Sequence, residues 1–227
     1  MGFKYEKDLV NNFIKKISHE NKTSIILKEV NTNFGIPDIL IVNLDENILE
    51  KRKNFYSDID FTRIMTYIMT YLYKRRWLKK ETLQEYFSLS KAKTEREINK
   101  LYKLGLIDTK DNYLKSKSSD EILVINRIFS YEAKLTDWKY AIKQAERHLW
   151  FTNDSYVLMP KKNNRVIDKT IKLCKDNDVG LTLFLEENNI KNKIRPKGKG
   201  IINSPFIWKL NEEIIRGEVN WARKMSS

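Results

Sequence analysis

The chain has 227 residues, 41% of them hydrophobic, and its 43 Lys and Arg against 30 Asp and Glu give a formal charge of +13. That length holds one large domain or two small ones around a real core, and that charge makes an acidic partner the first expectation, nucleic acid before an anionic membrane surface. The only cysteine, Cys174, excludes a disulfide framework or a cysteine-based zinc site within one chain and suits a reducing, cytoplasmic setting, while no apolar run approaches the roughly 20 residues that span a bilayer.

From Tyr5 to about Glu20 the residues Leu9, Val10, Phe13, Ile14 and Ile17 recur at helical spacing and predict an amphipathic helix. Glu6 stands on the same face as Val10 and Phe13, with its carboxylate over the apolar stripe. A first-turn acid that merely favours the helix dipole is the plainer alternative. Next, Thr23 to Thr32 and Ile36 to Val42, parted by the turn signal Asn33-Phe34-Gly35, predict a hairpin. Asp38 opens its second strand directly after Pro37, on the face of Leu40 and Val42, where it is partly desolvated. Aspartate is a poor strand former, so its presence there asks for a reason beyond capping the turn.

After Leu44 a polar link, DENILEKRKN, leads to a long helical stretch from Asp58 to about Trp77, a shorter helix in LKKETLQEYFS, and a third from Ser90 to Leu104. Ser90 is placed to cap that third helix and Gly105 to end it. Leu106 to Leu114 then form two short strands around Lys110-Asp111-Asn112. Helix, helix, helix, hairpin resembles a winged helix-turn-helix, with SLSKAKTEREINKLYKLGLI as its recognition helix running into the wing. Lys93, Arg96, Lys100 and Lys103 repeat at three- and four-residue spacing, and residues 58–118 hold 14 basic against 8 acidic side chains. Such a face suits a major groove, with Lys91, Lys93, Thr94 and Arg96 nearest the bases and Lys110 in the wing. A protein-binding module with a solvated basic face is the competing reading.

The stretch FSYEAKLTDWKYAIKQ, Phe129 to Gln144, runs from an apolar strand into a helix. Alternation along a strand makes Glu132 and Lys134 project together while Ala133 points the other way. The helix from Asp137 to Trp150 carries Gln144 and, one turn later, His148, which either faces the same cleft as Gln144 or, as the plainer expectation, lies at the surface. A strand from Ser155 to Met159, a helix from Asn164 to Lys175 and a buried strand from Val179 to Leu185 follow. From Ile190 the basic Gly/Pro segment KNKIRPKGKG carries Lys197 and Lys199, and 9 basic face 3 acidic residues up to Ser227. That segment either follows a phosphate backbone or links flexibly to a last amphipathic helix around Phe206 to Trp221.

With 45–118 set aside, the order is helix, strand, strand, strand, helix, strand, helix, strand. Glu6 on the first helix, Pro37-Asp38 on the second strand, Glu132-Ala133-Lys134 on the third and Gln144 on the helix after it resemble the PD-(D/E)XK nuclease superfamily, over about Tyr5 to Leu185. The interval between the acidic motifs, 132 − 38 = 94 positions, exceeds the family pattern, and the insertion accounts for the excess. The resemblance implies an α/β fold of the restriction endonuclease-like kind, a mixed central sheet flanked by helices with an inserted winged-helix domain. Residues 1–50 and 119–227 would form the nuclease domain and 51–118 the insertion.

The same resemblance implies Mg²⁺, with Mn²⁺ able to substitute, held by Asp38, Glu132 and the carbonyl of Ala133. Glu6 would bind metal through water or hold a second ion, Lys134 would hold or deprotonate the attacking water, and Gln144 would orient the phosphate or Lys134. Phosphodiester hydrolysis needs these residue types, because a hard cation with oxygen ligands polarises the phosphate and acidifies a water. The implied activity is a Mg²⁺-dependent endodeoxyribonuclease on duplex DNA, in restriction, mobile-element processing or repair. Cutting both strands calls for two sites and hence a homodimer. Two other readings stay open: a non-catalytic DNA-binding regulator or assembly factor on the same fold, and a nuclease on branched DNA or RNA.

Overall fold

The computed structural model describes residues 3–18, 24–32, 34–54, 59–185, 189–200 and 202–218. Glu20, Thr23, Asn33, Asp58 and Trp221, where the sequence placed element ends or a turn, lie outside the described residues. In chain order the elements are α1 (Glu6–Ser18), β1 (Ser24–Lys28), β2 (Ile39–Leu44), α2 (Glu46–Lys53), α3 (Arg63–Leu72), β3 (Leu78–Lys79), α4 (Lys80–Tyr86), α5 (Lys91–Lys103) and β4 (Ile107–Lys110). They continue with β5 (Tyr113–Ser116), α6 (Ser119–Ile122), β6 (Ile125–Ala133), α7 (Trp138–His148), β7 (Asp154–Pro160), α8 (Asn164–Asp176), β8 (Gly180–Phe184), β9 (Ile190–Ile194) and α9 (Pro205–Arg216). Within the described residues the chain divides into two compact units, one of residues up to Leu44 with Asn126–Ile202, the other of Asp45–Ile125 with Asn203–Val219.

The first unit is mixed α/β. Its six-stranded sheet runs in the order β1-β2-β6-β7-β8-β9. β1 and β2 pair antiparallel, β6, β7 and β8 run parallel, and β9 returns antiparallel to β8. Parallel neighbours need crossovers, and α7 and α8 supply them. The apolar stripe of α1, Leu9, Phe13, Ile14 and Ile17, packs with Ile39, Ile41, Tyr131, Ala133, Tyr156 and Leu158. A separate cluster joins Ala141, Ile142 and Ala145 of α7 and Ile167 and Cys174 of α8 with Val157, Met159, Leu181 and Leu183. The sheet is therefore flanked by helices on both faces.

Two features of this unit depart from the sequence reading. Asp38 sits in a bend one residue before β2, not on the strand. Ile39, Leu40, Ile41 and Val42 are all buried, because a sheet covered on both faces has no solvated row for alternation to mark. The basic segment from Ile190 begins as β9, an edge strand whose Lys191, Asn192 and Lys193 are exposed. Charged side chains are a common guard on such an edge.

The second unit places β3, β5 and β4 in one antiparallel sheet with α3, α4 and α5. The polar link after Leu44 is a helix: Asp45 accepts a hydrogen bond from Ile48 N at 3.0 Å and so caps α2. The long stretch from Asp58 is shorter than its apolar pattern suggests, since α3 ends at Leu72 and Lys74 turns left-handed at φ 58°. Ser90 caps α5 through Lys93 N at 3.3 Å, and Gly105 follows it at φ 66°, the conformation a Cβ-free residue adopts most readily.

α9 belongs to this second unit, not to the core of 119–227 where the sequence division put it. Asn211 accepts from Val124 N at 2.9 Å and donates to Ile122 O at 3.1 Å, and Trp208 meets Tyr73 edge-on. Amphipathicity announced a buried face without saying which core buries it. No described helix is long and apolar enough to cross a membrane.

Candidate active site

The carboxyl end of β6 gathers four charged side chains from three distant parts of the chain. Asp38, held where Glu29 N donates to Asp38 O at 3.3 Å, accepts a hydrogen bond on Oδ2 from Ala133 N at 2.7 Å. Lys134 Nζ lies 3.1 Å from Glu6 Oε2 and 3.4 Å from Glu132 Oε1. The other oxygen of Glu6 accepts from Leu135 N at 3.3 Å, so α1 braces the turn that leaves the strand. In an open α/β sheet the carboxyl ends of parallel strands are where ligands bind.

Burial sets the electrostatics of this end. Glu132 is 2% exposed, and burial, reinforced by the charge of Asp38, pushes its pKa up to about 8 against the pull of Lys134. Burial also raises Asp38, opposed by the Ala133 amide and Lys134. Burial works to lower Lys134, but Glu6 and Glu132 outweigh it and hold the ammonium above its ordinary value. Glu132 Oε2 is buried with no hydrogen-bond partner among the described residues. A buried, unpaired carboxylate oxygen is costly, so burial here disfavours the charged form.

No group of three or more His, Cys, Asp or Glu side chains poised for a metal occurs among the described residues. Magnesium needs fewer, commonly one or two carboxylates plus waters. Asp38 and Glu132, with the orphaned Oε2, fit that requirement. Glu6 is committed to Lys134 and Leu135, and Ala133 meets Asp38 through its amide N–H.

The remaining expected residues fall into two groups. Gln144 is half-buried, and its Oε1 has no partner among the described residues. His148 is not on the surface: it is 2% exposed, tilted against Phe151 at 5.5 Å, with Nδ1 unpartnered among the described residues. Burial, with some help from Arg147, drops its pKa to about 4. The signal was legible, since Ala141, Ala145 and His148 stand at i, i+4 and i+7 on the buried stripe.

On α5, Lys91, Lys93, Arg96 and Lys103 are exposed and Lys100 is half-buried, while Lys110 is exposed on β4. Thr94 is corrected: it is 2% exposed, and its hydroxyl donates to Ser90 O at 3.0 Å, so it faces the interior rather than a groove. Arg96 reaches the buried carboxylate of Glu97 at 3.1 Å. Lys197 and Lys199 are exposed on the first unit.

No family model, curated protein or solved structure matches this chain. Its chemistry is read from its own residues: a buried carboxyl group with a raised pKa, a second carboxyl group, and an ammonium braced between two acids, all at one strand end.

Proposed function

We propose that the chain is a divalent-metal-dependent endonuclease in which the first unit hydrolyses phosphodiester bonds and the second, a winged helix-turn-helix, holds duplex DNA. The hydrogen bond from Ala133 N to Asp38 Oδ2 carries most of this reading, because it joins two acidic motifs 94 positions apart (132 − 38) at one strand end. Asp38 and Glu132 would hold Mg²⁺ or Mn²⁺. Bound there, the ion supplies a Lewis acid for the phosphate and a more acidic water.

This chain's residues do the rest. Lys134, with its pKa held up by Glu6 and Glu132, stays an ammonium at neutral pH. It therefore donates to the attacking water and offsets charge on the pentacovalent phosphate, and does not take the water's proton. Glu6 is a positioning residue that fixes Lys134 and the 134–135 turn. Exposed cations on α5 meet the sugar-phosphate backbone of the duplex.

The test is Mg²⁺-dependent nicking or cutting of plasmid and linear duplex. Asp38→Ala and Lys134→Ala should each abolish it; cleavage that survives both changes sinks the reading. One observation favours a non-catalytic DNA-binding regulator instead: Lys134 already pairs with two carboxylates, which partly neutralises the cluster. The orphaned Oε2 of Glu132 argues against that. Binding indifferent to EDTA, with no cleavage of duplex, branched DNA or RNA, would decide for the regulator.

A further inference from the structure

The opposite end of the first unit's sheet carries a second charged feature, the loop from Arg195 to Gly200. It is fastened by its backbone. Lys199 N donates to Asn153 O at 3.0 Å, and Asn153 Nδ2 donates back to Lys199 O at 2.9 Å. Asn153 is 6% exposed, and its Oδ1 accepts from Ile128 N at 2.6 Å, so its whole side-chain amide is spent on position. Lys197 N donates to Asp178 Oδ1 at 3.0 Å. Gly198 stands at φ +75°, where an added Cβ would lie 2.6 Å from Arg127 Nη2 and 3.2 Å from Asp154 Oδ1. Arg127 is itself held by the buried Asp154 at 2.6 Å.

While the backbone is pinned, the cationic side chains are released. Arg195, Lys197 and Lys199 are exposed, and none forms an ion pair among the described residues. A flexible linker has no use for a buried asparagine and a left-handed glycine that fix its shape. Gly200 adds a hint of what approaches, because a Cβ there would meet nothing within 4 Å. The fold does not need a glycine at that position, and its absent side chain leaves the main chain bare.

From this geometry we infer that residues Arg195–Gly200 form a preformed clamp for the sugar-phosphate backbone of duplex DNA. The inference rests on the DNA-directed reading of the unit and adds a contact separate from α5. Arg127 and Glu132 lie five residues apart on β6, about 17 Å at 3.3 Å per residue. The clamp and the carboxylates therefore stand near opposite ends of β6. An anionic bilayer would want apolar side chains beside the charges, and a protein partner would want an aromatic anchor. Neither an exposed aromatic nor another exposed large apolar side chain occurs among the described residues of this segment. Pinning also removes the ordering cost that a loose basic loop incurs on binding.

The experiment measures affinity for a random-sequence duplex of about 30 base pairs in EDTA, across a salt series, so no cleavage is needed. For the double variant Lys197→Ala and Lys199→Ala, affinity should fall about tenfold near 0.1 M salt, and the slope of log K against log salt should shrink by about 1.8, or 0.9 for each lost phosphate contact. Gly198→Ala changes no charge, yet should weaken binding severalfold while the melting curve stays cooperative. An unchanged slope in the double variant overturns the clamp, and wild-type affinity in Gly198→Ala overturns its preformed geometry. Loss of binding to anionic phospholipid vesicles with no change on DNA also overturns it and gives the loop to a membrane. A chain that never cleaves but shows the slope change ends the nuclease reading and leaves the clamp standing; an active enzyme with an unaffected slope does the reverse.

Discussion

Both units bury glutamates beside cations, and two of these pairs, Glu212 with Arg52 and Glu132 with Lys134, are finished to different degrees. Glu212 in the second unit is 2% exposed, and both its oxygens accept from Arg52 Nη2, at 2.9 and 3.0 Å, with Asn211 Nδ2 adding a third bond at 3.0 Å. Arg52 also donates to Leu104 O. Glu132 in the first unit is equally buried, yet has one oxygen 3.4 Å from Lys134 and the other with no partner among the described residues. Burial raises the pKa of both acids. Where the carboxylate ties α2 to α9, both its oxygens have partners, although Arg52 Nε has none among the described residues; at Glu132 it is a carboxylate oxygen that is left without one.

The sharpest way to break this contrast is to neutralise each acid. Glu132→Gln should lower Mg²⁺-dependent cleavage by about a thousandfold or more, since an interaction with the ion is worth several kcal/mol in the transition state. Plasmid cleavage under single turnover reads this, and activity within tenfold of wild type would remove Glu132 from the chemistry. At the other pair, Arg52→Met leaves Glu212 buried and uncompensated, and should cost about 3–5 kcal/mol in urea unfolding. The double change Arg52→Met with Glu212→Leu should recover most of that loss.

Stability against pH separates the two kinds of site further. Between the ordinary glutamate value of 4.5 and about 8, folded Glu132 keeps a proton that the unfolded chain has lost. Stability therefore falls as pH rises through that window, by a few kcal/mol at most, and Glu132→Gln should flatten the slope. At pH 8 a divalent ion at 100 times its Kd should return about 2.7 kcal/mol to the wild type and nothing to Glu132→Gln. His148 works in the other direction. Its pKa is lowered from 6.5 to about 4, so its contribution is present above 6.5 and lost as pH falls toward 4, by at most about 3 kcal/mol. His148→Leu should remove that acid limb from a thermal-melt series.

The smallest effects test the basic helix. Thr94→Val should cost about 1 kcal/mol for the lost hydroxyl bond and leave DNA affinity unchanged. Lys93→Ala should leave stability unchanged and reduce the salt slope of duplex binding by about 0.9. A Thr94→Val variant that binds DNA more weakly without loss of stability would show that α5 meets DNA through the face assigned here to the interior.

Much of this was legible before the structure. Helical spacing marked Leu9, Val10, Phe13, Ile14 and Ile17 as one stripe, of which all but the half-buried Val10 are buried, and Ser90 and Gly105 bounded α5, because these signals depend on neighbours a few residues apart. Glu132 and Lys134, expected to project together, do meet at 3.4 Å, although Lys134 lies one residue past β6. Reading failed where residue type was weighed ahead of position on the helix. Thr94 looked like one more polar residue on a basic face, and His148 like a surface histidine, although each lies on its helix's buried side.

By itself, then, the sequence determined most of the longer helices and strands and which acids and bases they carry, since backbone periodicity and capping are local, but it missed α2, β3, α6 and β9 and overran α3. Only the tertiary structure decided that Asp38 reaches the amide of Ala133, that Glu6 reaches Lys134, and that α9 joins the second unit. Those choices turn on contacts among residues nearly a hundred or more positions apart. Which groups then lose water and which charges find one another is fixed by packing, and no window of the sequence contains it.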